Sequence, residues 1–334
     1  MVVLQIQATE RETDMRITVI GCGRWGSFLA WYLNTLHHEV TLYGRKGSRT
    51  VSALMETRCN EYLRLPDEIR ISTDLACADS ADILVISVNS QGLRALISEL
   101  AARGLHDKTV VLCMKGLEIG TGERLSVIAA SGLDASCKIA VWLGPGHVQE
   151  FYAGNPNCMV IDSDSEEAKQ FCISAFSGPL IRFYYGEDLL GNEIGAASKN
   201  VIGIASGMLD AEHLSTLKGA LMSRGTREIA RLISAMGGNE LSAYGLCHLG
   251  DYEATVFSPY SHNRTFGENF IRGVPYTALA EGDYTVSALM ELSRKYGVEL
   301  PICQAVHRIL YEKAEPRAAL STLFDRSLKT EFYS

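Results

Sequence analysis

No stretch of the chain runs through the roughly 18 uninterrupted apolar residues that a membrane-spanning helix needs, so no span is expected. The opening MVVLQIQATERETD has no basic segment followed by an apolar run, and does not read as a secretory signal. Nine cysteines occur (Cys22, Cys59, Cys77, Cys113, Cys137, Cys158, Cys172, Cys247 and Cys303), with no C-x-x-C pair and no regular spacing. That argues against a disulfide framework or a structural zinc site, and for buried, reduced thiols in a reducing compartment, here the cytoplasm. Basic charge is also short. Lys and Arg number 31 against 39 Asp and Glu, a formal net charge of -8. A nucleic-acid partner would call for a basic surface, and is not expected. An anionic small-molecule substrate stays open, because a pocket can be locally basic inside an acidic protein. No internal repeat and no low-complexity linker interrupts the chain.

What is present is ordinary globular material. At 334 residues the chain has room for two domains of roughly 150 residues each, and 47% of it is hydrophobic. Residues 1–14 read as a polar tail. Met15–Ile20, Glu39–Tyr43, Ile83–Val88, Thr109–Met114 and Ile139–Leu143 are runs of strand length, and Leu29–Leu36 has helical character. Near-continuous apolar strands separated by helices are what a parallel sheet buried on both faces requires. The expected fold is α/β: a Rossmann-type doubly wound sheet domain over residues 15–188. Beyond it the pattern turns helical, through Leu190–Met236 with a stop at Gly237-Gly238, then Val286–Tyr296 and Ile302–Lys313. Residues 189–334 therefore read as an all-α domain packed directly on the first, with a cleft between them.

Ile20 is followed by Gly21-Cys22-Gly23-Arg24-Trp25-Gly26, a G-x-G-x-x-G turn between a strand and a helix. In that context the pattern indicates a dinucleotide. Gly21 allows the tight turn, Gly23 lets the backbone approach a pyrophosphate, and Gly26 lets helix and strand pack closely. The helix N-terminus supplies N–H groups and partial positive charge. An NAD-preferring protein usually carries Asp or Glu at the end of the next strand, to bond the ribose hydroxyl. Here that strand ends Leu42-Tyr43-Gly44-Arg45-Lys46. Two cations where a 2′-phosphate would lie favour NADP(H), with NAD(H) possible; the competing account is two solvated loop cations.

Two further segments carry chemistry. Met114-Lys115-Gly116-Leu117-Glu118 puts a lysine at the C-terminal end of an expected strand, the edge where open α/β sheets bind ligands. Lys199 sits in Gly195-Ala-Ala-Ser-Lys199-Asn200-Val-Ile-Gly203, where Gly195, Lys199 and Gly203 share one helical face at four-residue spacing. Small flanking residues let a ligand or another backbone come close, and an idle ammonium amid apolar neighbours would be costly.

At this point the chain resembles the NAD(P)-dependent glycerol-3-phosphate dehydrogenases, from about residue 15 to about 330. The residues that carry the resemblance are the turn at 21–26, Ser90-Gln91, Lys115-Gly116-Leu117-Glu118, Lys199-Asn200-Val201-Ile202, Ser223-Arg224-Gly225 and Gly250-Asp251. Ser261, Asn263, Arg264, Phe266 and Gly267 follow, then Ala280-Glu281-Gly282 and Ala319-Leu-Ser-Thr-Leu. The resemblance implies that Lys199 exchanges a proton with the reacting oxygen, and that Lys115 and Asp251 bind and orient substrate beside it. Asn200, Ser261, His262 and Asn263 would complete the substrate wall. Gly21, Gly23, Arg24, Trp25, Gly26, Arg45, Lys46, Lys115, Val148, Arg264 and Glu281 would serve the cofactor. It also implies a phosphorylated small-molecule substrate, a homodimer and no metal.

Three positions depart from the family. Leu143-Gly144-Pro145-Gly146-His147 lacks the polar side chain expected at 146. His248 stands where glycine is usual. Ser261-His262-Asn263-Arg264 has histidine in place of the arginine that the family uses for the substrate phosphate and partly for the cofactor. These departures leave open a dehydrogenase of another phosphorylated polyol or hydroxy compound, or a dinucleotide-binding regulatory protein without turnover.

Overall fold

In the computed structural model, residues 14–327 and residue 330 are described; the tail expected at 1–14 lies, apart from Asp14, outside them. The first half alternates strands and helices in the order β1 (Arg16–Ile20), α1 (Arg24–Thr35), β2 (Glu39–Tyr43), α2 (Arg49–Thr57), β3 (Arg70–Ser72) and β4 (Ile83–Ile86). It continues with α3 (Leu93–Ala101), β5 (Thr109–Leu112), α4 (Leu125–Gly132), β6 (Lys138–Leu143), α5 (Val148–Tyr152), β7 (Asn157–Asp162), α6 (Glu166–Phe176) and β8 (Ile181–Tyr185). The helices α7 (Leu189–Ala211), α8 (Lys218–Ala235), α9 (His262–Arg272), α10 (Glu281–Tyr296), α11 (Pro301–Tyr311) and α12 (Pro316–Phe324) complete the chain, with no strand among the described residues after Tyr185.

One eight-stranded sheet takes the order β3-β2-β1-β4-β5-β6-β7-β8. The pairs from β3 to β6 are parallel, as expected of near-continuous apolar strands, but β7 runs antiparallel to β6. The sheet is thus mostly parallel, as expected of a doubly wound domain, with the β6–β7 pair its one antiparallel step among the described residues. Alternate residues of the central strands feed opposite faces: Ile83 and Val85 enter one core, Leu84 and Ile86 the other. The strand order reverses between β1 and β4, and at such a switch point the loops beyond the carboxyl ends of the strands leave a crevice.

The helical half has its own core, built around α7. Helix α7 is capped by Asp188, whose side chain accepts from Gly191 N–H, and it crosses α9 at very close range. A Cβ on Gly207 would lie 1.9 Å from the Arg264 carbonyl oxygen, and one on Gly267 would lie 2.1 Å from that of Ile204. Side chains at these positions would force the helices apart. Among the ties from the sheet half to α7, Glu193 accepts from Ser126 N–H at 2.9 Å and from Arg124 Nη1 at 2.8 Å. No helix among the described residues is long and apolar enough to cross a membrane. All nine cysteines are free; Cys59, Cys77, Cys137 and Cys158 are only partly buried, short of the full burial expected.

Candidate active site

A cleft of about 540 Å3 opens where the carboxyl edge of the sheet meets α7 and α9. Its floor is the glycine turn. Gly21 has φ +115°, and a Cβ there would lie 2.1 Å from the Ser87 carbonyl oxygen. A Cβ on Gly26 would meet the Gly21 carbonyl oxygen at 1.8 Å, whereas one on Gly23 would meet nothing within 4 Å. The first and third glycines thus let the backbone fold onto itself, and the second leaves open space in front of the α1 N-terminus. That is a cradle for a pyrophosphate, and the turn therefore fits a dinucleotide. Gly21, Gly23, Arg24, Trp25, Val148 and Glu281 line the cleft. Glu281, at the start of α10, accepts from Ser90 N–H at 3.1 Å and from its hydroxyl, and burial raises its pKa.

Above the turn, three charged side chains meet. Lys115 Nζ donates to Asp251 Oδ2 at 2.7 Å and to the Gly144 carbonyl at 2.5 Å. Lys199 Nζ reaches the same Asp251 oxygen at 2.8 Å and donates to Thr255 Oγ1 at 2.7 Å. Thr255 Oγ1 in turn donates to the Asp251 carbonyl at 2.7 Å. The segment that delivers Asp251 is irregular, a 3-10 turn (Leu249–Asp251) running into a π turn (Glu253–Phe257). Asp251 is 1% exposed, and its Oδ1 has no hydrogen-bond partner among the described residues. Burial pushes the Lys199 pKa down to about 8; the Asp251 charge works against that and the Lys115 charge with it. An ammonium held near neutrality, beside an anchored carboxylate and a second cation, can give or take a proton at physiological pH.

The amides expected to touch substrate also hold the two halves together. Asn200 Nδ2 donates to the Lys115 carbonyl at 2.8 Å, Asn263 Nδ2 to Asn200 Oδ1 at 3.0 Å, and Gly282 N–H to Asn263 Oδ1 at 2.9 Å. Ser261 caps α9, its hydroxyl accepting from Arg264 N–H at 3.3 Å. Asn200, Ser261, His262 and Asn263 all line the cleft. The small residues flanking Lys199 face protein: a Cβ on Gly195 would touch His248 Cβ at 3.0 Å, and one on Gly203 would meet Thr255 Cγ2 at 2.7 Å. Four residues expected at the cofactor lie outside the lining. Gly26 is packed behind the turn. Arg45 and Lys46 are exposed just past β2. Arg264 is turned away, paired with Asp210 at 2.9 Å and Glu268 at 3.1 Å.

Family models separate this site from the many other chemistries that use the same sheet. The model described as NAD-dependent glycerol-3-phosphate dehydrogenase N-terminus matches residues 16–169, and its C-terminal counterpart matches residues 188–321. The chain belongs to the NAD-dependent glycerol-3-phosphate dehydrogenase family. A glycerol-3-phosphate dehydrogenase (NAD(P)+) of Streptomyces griseus is 37% identical over 331 residues, covering 95% of this chain and 98% of that one. One from Pelodictyon phaeoclathratiforme is 34% identical, covering 95% and 99%. The crystal structure of glycerol-3-phosphate dehydrogenase from Coxiella burnetii superimposes with a TM-score of 0.88 at 28% identity, covering 94% of this chain and 99% of that one.

For a member of this glycerol-3-phosphate dehydrogenase family, the three departures have physical causes. Gly146 has φ +150°, and a Cβ there would lie 2.2 Å from the Phe151 ring; the space a serine would need is filled. His248 is fully buried. Its Nδ1–H donates to the Gly195 carbonyl at 2.8 Å and its Nε2 accepts from the Tyr252 hydroxyl at 2.7 Å, pinning the Asp251 segment to α7. Burial lowers its pKa to about 4, so it is neutral. His262 shares a hydrogen bond of 2.5 Å with the Tyr276 hydroxyl, and burial lowers its pKa, which disfavours the imidazolium. Several lining residues escaped the sequence reading, Thr255 and His147 among them. Thr255 carried no motif signal. His147 was noted only as a neighbour of Gly146, yet it lines the cleft; its Nε2 is buried and unpaired.

Proposed function

We propose that this protein interconverts sn-glycerol 3-phosphate and dihydroxyacetone phosphate with NAD(P)(H), and that Lys199 is its acid–base group. The observation that carries the reading is the convergence of Lys199 and Lys115 on one oxygen of buried Asp251, inside the cleft floored by the glycine turn. A bound nicotinamide dinucleotide supplies the hydride, or accepts it in the reverse direction. During reduction negative charge grows on the carbonyl oxygen. Lys199 stabilises it and delivers the proton, Lys115 adds a second cation, and Asp251 holds both ammonium groups in place. In the oxidative direction neutral Lys199 takes the hydroxyl proton, which its pKa of about 8 allows.

Ser261, Asn200 and Asn263 form the polar wall beside the reacting carbons. Trp25, Val148 and Glu281 hold the dinucleotide with the glycine turn. The cofactor is NADP(H) in preference to NAD(H), because no acid closes β2 and Arg45 and Lys46 stand exposed beyond it. The working unit is a homodimer. The test is turnover of NADPH and NADH against a panel of phosphorylated and unphosphorylated ketones. Turnover of dihydroxyacetone phosphate supports the reading. Turnover confined to another ketone, or none with any, refutes it.

A further inference from the structure

The reading above leaves the substrate's phosphate without its expected arginine, since residue 262 is histidine and is disposed to be neutral. A guanidinium nevertheless stands in the same part of the cleft. Arg24, the first residue of α1, lines it. Its Nη1 donates to the Tyr260 carbonyl at 3.4 Å, and its Cζ lies 5.7 Å from the centre of the Tyr62 ring. Among the described residues no carboxylate oxygen comes within ion-pairing range of it, although Arg16, Arg94, Arg103 and Arg264 all have one. A largely buried guanidinium with a single long hydrogen bond is under-satisfied, and an anion is its natural partner.

A second polar side chain stands at the same place. His147 is 8% exposed, lines the cleft, and has no partner on Nε2. Its ring packs edge-on against Tyr260 at 5.5 Å, the residue whose carbonyl Arg24 touches. Burial, and after it the nearby charges of Lys199 and Arg24, lower its pKa to about 4, so the imidazole is neutral.

We propose that Arg24 is the residue that binds the substrate's phosphate, replacing from the glycine turn the arginine that is absent at 262. The proposal rests on the function inferred above. The substrate then lies with its reacting oxygen at Lys199 and its phosphate at Arg24. Arginine suits this end because it stays charged at any working pH and can engage two phosphate oxygens at once.

The experiment measures KM for dihydroxyacetone phosphate and for NADPH, and kcat/KM for unphosphorylated dihydroxyacetone, in the full-length protein and in Arg24→Ala. KM for the phosphorylated ketone is expected to rise on the order of 10- to 100-fold, the range for losing a hydrogen bond to a charged group. KM for NADPH and the rate with dihydroxyacetone should stay within about threefold. Arg24→Met, which keeps the aliphatic stem against Tyr62, gives the same reading if the alanine variant does not fold. His262→Arg added to either variant should recover most of the lost affinity, which a merely structural role for Arg24 would not permit. If instead KM for NADPH rises while that for dihydroxyacetone phosphate holds, Arg24 serves the cofactor and the proposal is wrong. Equal losses with both ketones overturn it as well. Wild-type protein inactive on dihydroxyacetone phosphate refutes the function and this assignment together, whereas an active wild type with either of the two failures above refutes the assignment alone.

Discussion

Replacing Lys115 by methionine should raise the pH at which Lys199 gives up its proton. Both ammonium groups meet the same Asp251 oxygen, at 2.7 and 2.8 Å, so they lie at most about 5.5 Å apart. Two unit charges at that distance repel by ~3 kcal/mol at an effective dielectric of about 20, and by ~0.8 kcal/mol in bulk water. At about 1.4 kcal/mol per pKa unit the repulsion shifts Lys199 by roughly half a unit to two units. Removing Lys115 relieves the charged form of Lys199, so its pKa rises from about 8. Oxidation of glycerol 3-phosphate needs neutral Lys199. The alkaline rise in kcat should therefore move to higher pH by that interval. Asp251→Asn should move it the other way, because the carboxylate favours the charged ammonium. If a variant is too slow to assay, the pH dependence of reductive methylation at Lys199, read by peptide mass spectrometry, reports the same titration. Profiles that stay put in both variants, or move in the same direction, would refute the electrostatic account of this site.

Lys199→Ala should lower kcat by at least ~10², the usual loss for a general acid–base group, and leave NADP(H) binding, measured by fluorescence titration, nearly intact. Arg45→Glu should reverse or abolish a preference for NADPH over NADH in steady-state KM; unchanged, equal efficiency with both cofactors would count against NADP(H) selection by that loop. Gly207→Ala would press a methyl group to 1.9 Å from the Arg264 carbonyl oxygen. It should cost ~1–3 kcal/mol of stability, read as a lower Tm or denaturant midpoint, and loosen α9 and the Ser261–Asn263 wall with it.

The parts of the fold that were legible in the sequence are those whose burial is two-sided. β1, β4, β5 and β6 are buried on both faces and read as apolar runs. The strands that escaped notice are three residues long (β3), half-exposed at the sheet edge (β8, Ile-Arg-Phe-Tyr-Tyr) or next to it (β7). In β8 the apolar content is diluted by the solvent side, and in β7 the buried apolar run is only Met159, Val160 and Ile161, with Asn157 and Asp162 at the strand's ends. Helix α9 hid for a different reason: of its residues only Gly267 is fully buried, and it docks on α7 through backbone contact at glycines. No side-chain periodicity records that kind of packing. Lys115, Lys199 and Asp251 were legible as motifs. That they share one oxygen is a fact of three-dimensional approach, because Lys115 follows a sheet strand, Lys199 rides on α7, and Asp251 sits on an irregular turn.

The departures follow the same logic. Read position by position, Gly146 and His262 look like losses of substrate contacts. In space each has a neighbour that changes its meaning. Phe151 occupies the volume a serine at 146 would need, and His147, one residue on, lines the cleft with its ring edge-on to Tyr260. His262 is engaged by Tyr276, while Arg24 brings a guanidinium to the same region from the opposite end of the chain. A binding site constrains where charge and hydrogen-bonding atoms lie, and leaves open which segment carries them. Arg24 lies in a glycine turn whose motif is read for its glycines and leaves that position free. The residue best placed to hold the phosphate is thus one to which the sequence pattern attaches no substrate role. Its contact with the Tyr260 carbonyl joins the first residue of α1 to the segment just before α9, which only the assembled chain displays.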